Sequence, residues 1–155
     1  MKNVLALIIL TAILPILLYG CNDELLEAET ETGEQLEVDV EIRERLFMTQ
    51  VLDIANNFDH YIGKTVRYEG IFEKFGDEHI FASVFRHGPG CCGDDGIIGF
   101  SVAWEDGSTN FPENGQWVEV VGTFGILEIE GFLFRCVYLT SITVLDVRGQ
   151  EFVMQ

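Results

Sequence analysis

The sequence predicts an all-β domain with one short N-terminal helix, folded as a small five- to six-stranded OB-like barrel. Two observations predict this class: β-prone stretches recur along the chain, and short polar turns separate them. A third is that two of these stretches carry an interior glycine, Gly70 and Gly122. A sheet must bend sharply to close, and glycine permits such a bend. An open β-sandwich is the alternative for the same pattern.

Each element is predicted from its own pattern. Apolar residues recur at helical spacing between Phe47 and Phe58, which indicates a short amphipathic helix over 48–57. Glu130-Gly131, between two apolar stretches, indicates a hairpin turn. Strands are expected at 65–72, 79–85, 97–104, 116–124, 126–129, 132–138 and 141–147. Most aromatic residues of these strands are expected in the core.

Residues 1–20 have the layout of a secretory signal peptide. Lys2 precedes an apolar run over 4–18, which is shorter than the roughly 20 residues that span a bilayer. The run ends in Leu18-Tyr19-Gly20-Cys21, which resembles the lipobox of bacterial lipoproteins. The resemblance implies that Cys21 is the first mature residue and carries diacylglycerol, and that its amine can also be acylated. The protein would then be lipid-anchored in the cell membrane or outer membrane, with its domain outside the cytoplasm.

Residues 21–46 are expected to form an acidic flexible tether, and 47–155 the folded domain. Between positions 22 and 45 there are ten acidic residues, two basic residues and no aromatic residue. Such a segment repels itself and offers little apolar surface for a core. The whole chain has 26 acidic and 9 basic residues, a formal net charge of −17. This balance argues against a nucleic-acid partner, which would require clustered Lys and Arg.

The stretch 84–96 concentrates the reactive side chains of the chain. Thiolate sulfur and imidazole nitrogen suit Zn²⁺ or Cu(I), so Cys91, Cys92 and His87 are the first ligand candidates. Cys136, on a later strand, is a possible fourth ligand. Asp95, or its neighbour Asp94, could bind the metal or orient a ligand. Adjacent cysteines do not match the spacing of closed zinc sites, in which two to four residues separate the ligands of a pair.

Two other hypotheses use the same cysteines. In an oxidising compartment, Cys91 or Cys92 could form a disulfide with Cys136, which would make the protein a structural envelope lipoprotein. A thiol-redox protein is the third hypothesis, although the chain has no Cys-x-x-Cys pair. We expect Arg86 to pair with Asp94 or Asp95. No nucleophile elbow or phosphate-binding loop occurs, so the sequence predicts no enzyme.

The order of these signals resembles the C-terminal domain of YcgQ-like membrane proteins, which accompany a family of permeases. The resemblance covers about residues 54 to 145, and its most specific part is the cysteine pair followed by Asp95. Two features depart from that family: a lipobox stands in place of transmembrane helices, and Gly93, Asp94 and Gly96 rather than alanines surround Asp95. The resemblance implies an OB-like fold and an accessory role beside a permease, with metal as one candidate cargo. The other matching segments are Tyr61-Ile62-Gly63-Lys64-Thr65-Val66, Gly70-Ile71-Phe72, Phe85-Arg86 and Trp117-Val118-Glu119-Val120-Val121-Gly122-Thr123.

Overall fold

A computed structural model of the chain describes residues 37–76, 81–90 and 93–154. The side chains of Phe81 and of residues 93–95 are outside that description. The predicted signal peptide, Cys21 and the first part of the acidic tether also lie outside the described residues. The same holds for the adjacent cysteines, Cys91 and Cys92.

Within the described residues one α-helix, α1 (Phe47–Asn56), precedes the long strands of the sheet, and it lies within one residue of the predicted helix. Phe47, Val51 and Ile54 recur at intervals of four and three residues, so they share one helix face, and all three are buried. Short 3₁₀ turns flank the helix at Glu44–Leu46 and Phe58–His60. The helix therefore packs against the sheet through a single apolar stripe.

Five long strands close into a ring, and a sixth, short strand lies beside it. The order around the sheet is β1-β2-β3-β4-β6-β5, and a further pairing of β2 with β5 closes the ring. This confirms the predicted fold class. The strands are β1 (Val40–Glu41), β2 (Thr65–Phe75), β3 (Phe81–Gly90), β4 (Gly93–Ala103), β5 (Trp117–Ile129) and β6 (Phe132–Val144).

The ring closes because β2 has a different partner along each of its two edges. Ile71 lies opposite Phe85 of β3 on one edge and opposite Trp117 of β5 on the other. The remaining seam is the parallel contact of β4 with β6, in which Ser101 lies beside Cys136. A closed sheet has no free edge over the paired part of its strands, which removes a site for unwanted strand pairing.

Alternating residues of the five strands point inward and form the core with α1. Tyr68 and Phe124 contact the ring of Phe100 edge-on, at centroid distances of 5.8 and 5.2 Å. This confirms the expectation that the strand aromatics are mostly core residues. The buried core residues of β2 to β6 are Val66, Tyr68, Phe72, Ala82, Val84, Phe100, Val102, Val118, Val120, Phe124, Val137 and Leu139.

The predicted loop over 86–96 is wrong, because most of it belongs to β3 and β4. Gly88 lies opposite Gly96, and a β-carbon on Gly96 would come within 3.0 Å of the Gly88 carbonyl oxygen. The glycines thus let two strands approach closely, although glycine is also a common signal for a loop.

The predicted strands after residue 116 merge into two continuous ones, β5 and β6. The turn between them is at Glu130-Gly131, as predicted, and both residues have positive φ, as a type I′ turn requires.

Residues 37–46, which the sequence analysis assigned to the tether, are packed onto the barrel. In β1, Val40 pairs with Val66, and Ile42 is buried in the core. The Asp39 carboxylate accepts a hydrogen bond of 2.8 Å from the Thr65 backbone N–H. Within the described residues, no helix has the length and apolar character needed to cross a bilayer.

Replacing Gly122 with alanine is expected to destabilise the barrel. A β-carbon at this position would overlap the Tyr138 carbonyl oxygen and lie 2.7 Å from Cγ1 of Val137. Crowding of this kind costs about 1–3 kcal/mol in a packed core. Urea unfolding of Gly122→Ala, followed by circular dichroism, measures the loss. The control Thr143→Ala, at an exposed position of β6, should stay within about 0.5 kcal/mol of the parent. Equal stability of the two variants would contradict the close packing at Gly122.

Candidate functional site

The described candidates for the metal site fall on two separate parts of the barrel. His87 is a half-buried residue of β3, and its ring contacts Phe85 edge-on at 5.6 Å. Asp95 belongs to β4, and its side chain is outside the description. Cys91 and Cys92, which follow Gly90 in the chain, are not among the described residues. Their coordination therefore stays a prediction.

Cys136 lies elsewhere, on β6. Its side chain is fully buried, and it is a free cysteine beside Ser101 of β4. Burial raises its pKa to about 11, although contacts with Tyr138 and the Leu127 backbone oppose the shift. The thiol is therefore protonated at neutral pH. Ser101 lies eight positions after Gly93 in β4, which corresponds to about 26 Å of extended strand.

The described residues contain no cluster of three or more His, Cys, Asp or Glu side chains that could hold a metal ion. This finding does not test the predicted site, because Cys91, Cys92 and the Asp95 carboxylate are outside the description.

A buried arginine forms the most elaborate polar centre of the described barrel, and the sequence analysis gave it little weight. Arg86 of β3 is only 2% exposed. Its guanidinium lies between two aromatic rings, 4.6 Å from the centroid of Phe47 and 4.8 Å from that of Trp117. A planar cation between two aromatic faces gains cation–π attraction and loses most of its contact with water.

Hydrogen bonds to three separate segments compensate the Arg86 charge. Its Nε donates to the Glu69 carbonyl of β2 at 3.0 Å, and one terminal nitrogen donates to the Gln150 carbonyl at 3.0 Å. The same nitrogen lies 3.5 Å from the Glu44 carboxylate. These contacts join β2, β3, the turn before α1 and the C-terminal segment at one point. The expected pairing of Arg86 with Asp94 or Asp95 stays a prediction, because the side chains of these aspartates are outside the description.

The carboxylates around Arg86 have further partners. Trp117 Nε1 donates to the Glu69 carboxylate at 3.1 Å, and the Gln150 backbone N–H donates to Glu44. Burial lowers the pKa of Arg86, while Glu44 and Glu69 act in the opposite direction. Since arginine stays protonated in proteins, these groups hold a permanent positive charge. The centre is therefore an ionic cluster in which one buried cation faces two carboxylates.

Strand periodicity is the signal that could have identified Arg86. Ala82, Val84 and Arg86 alternate along β3, so all three share the inward face. The predicted strand ends at Phe85, so it does not include the inward-facing position of Arg86. The partners of Arg86 lie on distant segments, and local pattern does not predict them.

A cavity of about 240 Å³ adjoins this centre. Tyr68, one of its lining residues, is buried, and its hydroxyl has no hydrogen-bond partner among the described residues. Burial raises the pKa of this tyrosine, so it is neutral at physiological pH. Apart from Ile42, the other described lining residues carry charges of both signs and are Glu41, Arg43, Glu44, Arg67, Glu69, Arg86 and Glu119.

The fold and this centre define a small closed β-barrel module whose strands are joined by a buried arginine. The chain belongs to the DUF1980 C-terminal domain family, whose profile matches residues 22–150. This match confirms the domain-level part of the sequence resemblance. No curated protein and no solved structure was found to match the chain.

Replacing Arg86 with alanine is expected to destabilise the protein by about 3–5 kcal/mol, because a cavity opens between Phe47 and Trp117 and the Glu69 and Gln150 carbonyls lose their hydrogen-bond donor. Arg86→Lys should recover only part of this stability, since an ammonium cannot stack flat between Phe47 and Trp117. Chemical unfolding monitored by tryptophan fluorescence measures both variants. Arg67→Ala, at an exposed position of β2, is the matched control and should change stability by less than about 0.5 kcal/mol. A similar small effect at Arg86 would contradict its central role.

Proposed function

We propose that the chain is an accessory binding module of the cell envelope, anchored by lipid on Cys21. We propose further that it captures Zn²⁺ or Cu(I) through Cys91 and Cys92 in support of a membrane permease. The observation that carries the proposal is the register of β3 and β4. Gly90 pairs with Gly93, and the two cysteines are the only residues between them in the chain. Two residues with soft thiol ligands thus connect the paired ends of β3 and β4 in the chain.

The root of this hairpin is held firmly, which favours a binding role. The His87 backbone N–H donates to the Glu151 carbonyl at 2.8 Å, and the Val153 N–H donates to the His87 carbonyl at 2.7 Å. On the inward face, Arg86 is fixed between Phe47 and Trp117. Binding groups are most effective on an element whose position is set by its surroundings.

Ligand chemistry supports a thiophilic metal. Thiolates bind Cu(I) and Zn²⁺ well, and His87 and Asp95 belong to the same two strands as further ligand candidates. Adjacent cysteines direct their side chains apart, so one ion would use few protein ligands and keep an open position. An open position suits a protein that receives a metal and passes it to a permease.

Cys136 is left out of the proposed site for two reasons. Its raised pKa disfavours the thiolate that metal binding requires. It also lies beside Ser101, about 26 Å along β4 from Gly93, whereas a disulfide needs Cα atoms within about 7 Å. The same separation counts against a structural disulfide between Cys136 and Cys91 or Cys92. A thiol-redox role for the adjacent cysteines is the remaining alternative.

Metal binding should depend on the adjacent cysteines. The full chain carrying Cys21→Ser, purified under anaerobic reducing conditions, is expected to bind about one Zn²⁺ or Cu(I) ion. Adding Cys91→Ser and Cys92→Ser should abolish binding, whereas Cys136→Ala should preserve it. His87→Ala and Asp95→Asn should weaken binding if these side chains complete the site. Elemental analysis and competition with a chromogenic chelator measure stoichiometry and affinity.

Two results would contradict this site. A parent protein without bound metal, even after anaerobic loading, would exclude metal capture. Binding that survives the double serine variant but is lost in Cys136→Ala would move the ligands to β6. A free-thiol count before and after reduction then distinguishes a disulfide from redox-active thiols.

The lipid anchor has a separate test. The wild-type chain, expressed in an exporting bacterial host, should sediment with membranes, and its N-terminal peptide should carry the mass of diacylglycerol on Cys21. Cys21→Ala should abolish the modification, because the acceptor thiol is absent. The matched control Cys136→Ala should remain in the membrane fraction. An unmodified Cys21 in the wild-type protein would refute the anchor.

A further inference from the structure

The connection from β4 to β5 is long and has neither helix nor strand. Thirteen residues, 104–116, separate Ala103 from Trp117. Connections of this length without regular structure are uncommon in small domains and usually serve a function or link mobile parts. Here the connection is packed rather than loose: Trp104 and Phe111 are half-buried against the core.

Two neighbouring pockets lie along this connection and share Trp104 and Phe111. The larger has a volume of about 420 Å³, within the range of small-molecule sites, and the smaller about 190 Å³. The remaining residues of the larger pocket are Asn110, Pro112, Thr140, Ser141 and Ile142. Those of the smaller pocket are Ala82, Val102, Ala103, Gly107, Ser108, Thr109, Leu127 and Ile129. We call the two pockets together the Trp104 cleft.

Every described residue that lines the Trp104 cleft is uncharged, although the chain has a net charge of −17. Four lining residues carry hydroxyls and one carries an amide, and they stand beside two aromatic rings. A metal ion, a phosphate or a charged peptide would find no complementary charge in this lining. The cleft therefore suits a neutral ligand that has both apolar faces and hydroxyl groups.

The aromatic rings are held in place before any ligand binds. Trp104 Nε1 donates to the Asn110 carbonyl at 3.1 Å. Phe111 stacks on the core residue Phe72, with ring centroids 5.5 Å apart and an interplanar angle of 25°. The Trp104 and Phe111 rings are 6.4 Å apart and tilted by 35°. Because these rings are fixed, a ligand would lose little free energy in ordering them.

We propose that the Trp104 cleft binds a neutral saccharide chain, with adjacent sugar rings on either side of the Trp104–Phe111 pair. A pyranose ring presents C–H groups on its faces, which pack on aromatic rings, and hydroxyls at its edge. Ser141 and Thr140 on β6, with Asn110, offer polar partners to those hydroxyls. The lining shares no residue with the proposed metal site, so the inference does not depend on metal capture.

Nuclear magnetic resonance provides a direct test, since the chain has only two tryptophans. The indole N–H signals of Trp104 and Trp117 are followed in the full chain carrying Cys21→Ser. The probes are tri-N-acetylchitotriose, cellotriose and maltotriose. At least one should shift the Trp104 signal with a dissociation constant of about 1 mM or below. The Trp117 signal should stay unchanged, because that N–H is bonded to Glu69 inside the Arg86 centre.

Matched variants separate specific binding from general adsorption. Trp104→Ala should weaken the affinity at least about tenfold, the size of effect that loss of an anchoring aromatic produces. Trp104→Phe should retain part of it. Phe132→Ala removes an aromatic ring that is 68% exposed outside the cleft, and it should leave affinity unchanged. Cys91→Ser with Cys92→Ser should also bind saccharide normally.

Three results would overturn the inference. The first is a Trp104 signal that does not shift when each of the three trisaccharides is present at about 20 mM, roughly 20 times the expected dissociation constant of about 1 mM. The second is an equal response of both tryptophans, which would indicate adsorption. The third is undiminished affinity in Trp104→Ala, judged from the backbone amides of Ser141 and Thr140. Failure of metal binding alone leaves the saccharide result unaffected.

Discussion

The arrangement depends above all on the Arg86 guanidinium held between Phe47 and Trp117. A buried cation is tolerated only where partners replace the water that it loses. Here the Glu69 and Gln150 carbonyls, together with the Glu44 carboxylate, supply them. These groups belong to β2, the C-terminal segment and the turn before α1. One side chain of β3 therefore fixes the positions of these three segments relative to β3.

The proposed binding regions use this fixed barrel in different ways. The proposed metal site belongs to the β3–β4 hairpin, in which Arg86 and His87 of β3 are hydrogen-bonded to the C-terminal segment. The Trp104 cleft is instead lined by the connection from β4 to β5 together with residues of β3, β4, β5 and β6. Cys136 lies on β6 beside Ser101 and keeps a protonated thiol, which suits a packing residue. Cys136 is therefore separated in space from the other candidate ligands, which belong to the β3–β4 hairpin.

Sequence reasoning succeeded where one side chain has one local role. Phe47, Val51 and Ile54 predicted α1 because a buried helix face repeats every three to four residues. It failed where one residue type serves two purposes. Gly88 and Gly96 belong to paired strands, yet glycine is also the commonest loop signal. The contacts of Arg86 were beyond prediction, since Gln150 is 64 residues away and no local period encodes it.

The hydrogen bond from Arg86 to Gln150 also has a consequence for when the protein can fold. Ring closure pairs β2 with β5, so Thr65 must find Thr123. The Arg86 centre additionally needs Gln150, which lies 64 residues further along the chain. Until Gln150 reaches β3, Arg86 lacks one of its two carbonyl acceptors. The barrel and its buried charge are therefore completed by contacts between residues far apart in the sequence, and such long-range closure is slow compared with helix formation.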